Sequence, residues 1–102
     1  MIAHVLLVAA RPNLSDEDAT ELDAALAALA LVPGVERLTY GENVSARSKG
    51  YTHAAVMFFV DDAALARYAT HPHHLEIVGI LDRLAPERLV VDYSTVSSGM
   101  SE

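Results

Sequence analysis

Two short segments are apolar on both sides when drawn as extended chain, and nothing else in the sequence constrains the fold as strongly. Ile2–Ala10 (IAHVLLVAA) and Tyr51–Val60 (YTHAAVMFFV) are rich in aliphatic, β-branched and aromatic residues, so both read as strands. In the first, Ile2, Leu6 and Val8 fall on one side and Ala3, Val5, Leu7 and Ala9 on the other. In the second, Ala55, Met57 and Phe59 oppose Ala54, Val56, Phe58 and Val60. A sheet with one wet face would alternate apolar and polar residues. Both faces of this one need cover, and 102 residues make one small domain with few elements to supply it.

The rest of the chain supplies two helical regions. Ser15 opens a helix with Asp16, Glu17 and Asp18 in its first turn, where negative charge suits the helix dipole. Ala19, Leu22, Leu26 and Leu29 recur along it at helical spacing, and Pro33-Gly34 stops it. A second strand is expected at Val35–Tyr40, followed by a polar loop over Gly41–Gly50. Asp61-Asp62 caps a helix to about Thr70, Pro72 interrupts it, and a further helical segment runs to about Leu84. Leu89–Tyr93 reads as the last strand, and a flexible tail is expected over 95–102. Without repeat or linker, residues 1–102 read as a single domain with its core at about 2–94.

The order β-α-β-β-α-β with right-handed crossovers predicts an α+β, ferredoxin-like protomer, strand order 4-1-3-2, both helices on one face. Two helices cover one face only. A second copy packed sheet to sheet about a two-fold axis would cover the other, so a homodimer closing an α/β barrel is expected.

Charge and motifs narrow the function. Seven basic residues against fourteen acidic ones give a net charge of −7, which disfavours nucleic acid and anionic membrane surfaces as partners. The apolar opening is too short to span a bilayer and lacks the basic start of a signal peptide, so a cytoplasmic location is expected. Cysteine is absent, removing disulfides and thiolate nucleophiles. No glycine-rich phosphate loop or nucleophile elbow occurs, so no nucleotide cofactor is expected.

Five histidines hold the remaining chemistry: His4, His53, His71, His73 and His74. His74 precedes Ile77, Val78 and Leu81 on the apolar stripe of its helix, where it is a candidate base or a core histidine satisfied by a hydrogen bond. Tyr68 would face elsewhere on an unbroken helix, and the Pro72 break lets the two converge on one cavity. His4, at the start of strand one, should lie at the same end of the sheet as Asp92 and Tyr93 on antiparallel strand four, where a carboxylate could orient the imidazole. His53 begins strand three and should lie away from His4. His71 reads as a helix cap and His73 as solvent-facing; the cluster lacks metal-ligand spacing, so no metal is expected.

Taken together, His4-Val5-Leu6-Leu7, Gly41-Glu42-Asn43-Val44, Gly50-Tyr51-Thr52-His53-Ala54, Tyr68-x-x-His71-Pro72-x-His74 and Val91-Asp92-Tyr93 resemble the stress-responsive dimeric α/β-barrel (Dabb) family over about residues 2–94. The resemblance implies a ferredoxin-like homodimer. It extends to a plant polyketide cyclase of the family, which closes a linear polyketide thioester without a cofactor. By that likeness His74 and Tyr68 are catalytic, and His4, His53, Asp92 and Tyr93 contact substrate. The aromatic pocket of the plant enzyme is replaced here by small or aliphatic residues, and Trp is absent. Three functions stand side by side: a cofactor-free acid/base cyclase or isomerase acting on an apolar carbonyl compound, a non-catalytic ligand-binding or stress-protective homodimer, and a cofactor-free monooxygenase.

Overall fold

Side-chain caps set the starts of the first two helices. The hydroxyl of Ser15 accepts the Asp18 N–H at 3.1 Å and the carboxylate of Asp61 accepts the Ala64 N–H at 2.8 Å, each satisfying a donor that the first helical turn leaves unpaired. In the computed structural model, which describes residues 1–96, the elements run β1 (Ile2–Ala9), α1 (Asp16–Ala28), β2 (Arg37–Glu42), β3 (His53–Phe59), α2 (Asp62–Thr70), α3 (Pro72–Leu84) and β4 (Glu87–Ser94), with a 3-10 turn at Leu29–Leu31 after α1. Of the flexible tail expected over 95–102, Ser97–Glu102 lie outside the described residues. Thr95 is tied down: its N–H and hydroxyl both reach the Met1 carbonyl, at 2.9 and 3.2 Å.

The four strands form one antiparallel sheet in the order β2-β3-β1-β4, the expected arrangement read from the other edge. The strand ends differ from expectation by a few residues. Pro33-Gly34 and the bond from Val35 N–H to the Val32 carbonyl prolong the turn, with Gly34 at φ +101°, so β2 starts at Arg37 rather than Val35. Gly41 and Glu42, expected in the loop, pair with Ala54 and His53. Strand β4 is longer than Leu89–Tyr93, because β1 offers it partners as far as Ala9.

Beyond Ala3, which is buried like its neighbours Ile2 and His4, burial alternates along the central strands. Ile2, His4, Leu6 and Val8 on β1 and Ala55, Met57 and Phe59 on β3 are buried and share the core with Leu22, Leu26, Leu29 and Leu81. On the opposite face Val5, Leu7, Val56 and Phe58 are half-buried, while Leu89, Val91 and Tyr93 are 45–53% exposed. The helix face of α1 is corrected in one respect. Ala19 is exposed and Ala25 takes its place in the core, while Asp18 is half-buried, because Arg83 of α3 reaches across to Asp18 and Glu21. Among the described residues no helix is long and apolar enough to cross a membrane.

Candidate active site

The break between α2 and α3 builds the site. His71 is extended (φ −66°, ψ 137°), as a residue before proline prefers, and its Nδ1 accepts the His73 N–H at 3.1 Å. Pro72 occupies the first position of α3, where its missing N–H leaves no bond unmade. The chain therefore changes direction between Tyr68 and His74, and their rings come to 4.3 Å between centroids. His73 is exposed, as expected.

Tyr68 is buried, 2% exposed, with its ring against Phe59 (4.9 Å) and His4 (5.7 Å). Its hydroxyl donates to the sulfur of Met57 at 3.4 Å. Thioether sulfur is a weak acceptor, so this proton can be given to a better one at little loss. Burial pushes the phenol well above its ordinary 10, and the charge of Asp92 adds to the effect, so the hydroxyl stays protonated.

His74 is half-buried, and its Nδ1 donates to the Ala69 carbonyl at 2.9 Å. That bond fixes the tautomer: in the neutral ring the lone pair sits on Nε2. Desolvation lowers the imidazole below its ordinary 6.5; the charges of His4 and Arg88 act in the same direction, and the Ala69 bond acts against them. His4, paired across β1 with Met57 on one side and Asp92 on the other, hydrogen-bonds through Nδ1 to the Asp92 carboxylate. A carboxylate in that position orients the ring.

These four residues line a cavity of about 280 Å³ whose remaining wall is largely aliphatic, with Leu6, Leu65, Val78 and Val90 among its contributors. Arg88 closes the wall on the β4 side. Two residues that the family likeness placed at the site are elsewhere, and for His53 this is the position that strand order led us to expect. Tyr93 is adjacent to Asp92, but successive strand residues face opposite ways, and it lies with Val91 on the open face of the sheet. His53 pairs with Val8, four positions along β1 from His4, and lines a different depression. There its ring bonds Thr52 Oγ1 at 2.8 Å and approaches Asp23 at 3.5 Å. Sequence reasoning passed over Arg88, although counting back by two from Asp92 through Val90 reaches it on the same strand face. Among the described residues no group of three or more histidines and carboxylates is placed to hold a metal ion.

Residues 2–95 match the model of the stress responsive A/B barrel domain. The chain is 32% identical to a stress-response A/B barrel domain-containing protein, HS1, of Arabidopsis thaliana, over 94% of this chain and 91% of that one. It superposes on the crystal structure of the Arabidopsis thaliana protein At3g17210 with a TM-score of 0.85 at 30% identity, covering 98% of this chain and all of that one. A dimeric ferredoxin-like protein of unknown function from Jannaschia sp. superposes with a TM-score of 0.75 at 28% identity, covering 92% and 98% of the two chains.

Proposed function

Since the chain belongs to the stress-responsive A/B barrel domain family, we propose that it is a homodimeric, cofactor-free acid/base catalyst that cyclises or isomerises a small, largely apolar carbonyl compound of polyketide-like character. The observation that carries the reading is the Tyr68–His74 pair: a neutral imidazole with a fixed tautomer beside a phenol that keeps its proton, both facing an aliphatic cavity. Nε2 of His74 takes a proton from the carbon next to the carbonyl, and the electrons move onto the carbonyl oxygen. Tyr68 turns its hydroxyl from Met57 to that oxygen and stabilises the enolate. The enolate carbon then attacks a second carbonyl of the same molecule, forming the ring bond, or takes the proton back at another position. The proton lost is returned, so the cycle consumes no co-reactant. His4, oriented by Asp92, contacts the ligand from the β1 side. Dimerisation is supported by the apolar open face of the sheet and by the dimeric protein that this chain resembles.

Exchange of the α-protons of 2-octanone in D2O, followed by NMR, tests the base without knowledge of the natural substrate. His74→Ala should slow protein-catalysed exchange by about 10² to 10⁴, the usual share of one positioned acid/base group. Tyr68→Phe keeps the ring and should lose the oxyanion contact alone; the two losses should combine to less than their product. A second reading, a ligand-holding protein without turnover, draws on the burial of Tyr68 within the core cluster. Exchange no faster than buffer, or unaltered in a folded His74→Ala, would decide for it.

A further inference from the structure

Arg88 gives the cavity a second polar end. It pairs with Val8, four residues along β1 from the His4–Asp92 pair, so at about 3.3 Å per residue the two positions are about 13 Å apart along the strand. Leu6 and Val90, paired with each other, occupy the interval. Along one face of β1 and β4 the cavity wall thus runs from the His4–Asp92 pair through Leu6 and Val90 to the Arg88 guanidinium, with Tyr68 and His74 facing it from α2 and α3. The guanidinium is held in place, with one nitrogen donating to the Ala85 carbonyl at 3.0 Å and another to the Asp82 carboxylate at 2.7 Å. Two of its five N–H groups are used there, and its fork geometry suits a further carboxylate. Asp82 is 63% exposed and shares its charge with solvent, whereas the Arg88 side chain is only 21% exposed. The cation is therefore better placed to act on the cavity than its counter-ion. A guanidinium is a poor neighbour for a purely apolar ligand, and the chain is otherwise strongly acidic.

We propose that Arg88 is an anion subsite and that the ligand carries a carboxylate separated from its reactive carbonyl by a short aliphatic chain. This rests on the reading of the cavity as a small-molecule site and names the substrate class within it. The volume of about 280 Å³ leaves room for a short aliphatic chain.

Octanoate and 1-octanol share that chain and differ in the head group. Their binding to the whole protein, measured by calorimetry at pH 8 where ordinary imidazoles are neutral, isolates the contribution of Arg88. Wild type should bind octanoate at least tenfold more tightly than 1-octanol, and Arg88→Met should abolish the preference while keeping 1-octanol binding. Asp82→Asn, at an exposed site that leaves the fold alone, frees the guanidinium and should strengthen octanoate binding several-fold without altering that of 1-octanol. If 1-octanol binds as well as octanoate to wild type, or the preference survives in Arg88→Met, the subsite is refuted and the cavity reading stands. If neither compound binds, both fail. An Arg88→Met that does not fold leaves the wild-type preference and the Asp82→Asn gain to decide, and absence of either refutes the subsite.

Discussion

Burial and hydrogen bonding act on His74 in opposite directions, and burial prevails. The folded state favours the neutral ring, so the unfolded chain binds more protons as pH falls through 6.5. The stability that His74 contributes is complete above that value and is lost as the pH drops towards the lowered one. NMR titration should place the His74 midpoint below 6.5, and the acid limb of α-proton exchange should fall with it; a midpoint at or above 6.5 would contradict the assignment. Tyr68, pushed up, should contribute no limb below its ordinary 10. Both residues were legible in the sequence because proline restricts the backbone on either side of it, which makes the turn between them a local property. His4 and Asp92 were legible through antiparallel order. Met57 and Ala69, the partners of the Tyr68 hydroxyl and the His74 ring, were not, because hydrogen-bond choice at a helix break depends on packing that no short spacing records.

The helix break itself carries the element-scale prediction. In one continuous helix Tyr68 and His74, six residues apart, would point about 240° from each other. Pro72→Ala frees His71 to become helical and removes a constraint on the unfolded chain, for an expected loss of about 0.4–1 kcal/mol, or a few degrees in melting temperature. Exchange activity should fall further than stability does, since the ring contact depends on the bend while Ile77 and Leu81 still anchor α3 in the core. A variant with full activity and lowered melting temperature would show that packing alone holds the bend. Among the elements, helix starts were the most legible, because Ser15 and Asp61 act on their own first turns. Strand ends were less so: β4 extends to Glu87 only because β1 is there to receive it. The wrong place given to Ala19 has a similar origin, since which flank of α1 meets the core depends on packing against α3, whose Arg83 reaches Asp18 and Glu21 from more than sixty residues away.

At the scale of the whole molecule, the proposed homodimer rests on the open face of the sheet. A pair built on it should bury about 800 Å² or more per subunit, and light scattering should give twice the 10.9 kDa of the chain. Val91→Glu sets a charge at the middle of that face and should dissociate the pair and lower its melting temperature together. A folded wild-type monomer at micromolar concentration would refute the pairing. The two-sided strands announced this face from sequence alone, but the inside of the fold was harder to read. The turn of Tyr93 away from the cavity follows from register, which a likeness of motifs does not convey, whereas the distance of His53 from His4 was already expected from the antiparallel strand order. Strand β4 serves both sides at once, with Arg88, Val90 and Asp92 against the cavity and Leu89, Val91 and Tyr93 against the open face. In a pair, the wall between chemistry and neighbour would be one strand thick. A ligand that shifts β4 in one copy would press directly on the other, so occupancy of the first cavity should alter affinity in the second, and binding curves should depart from a simple hyperbola.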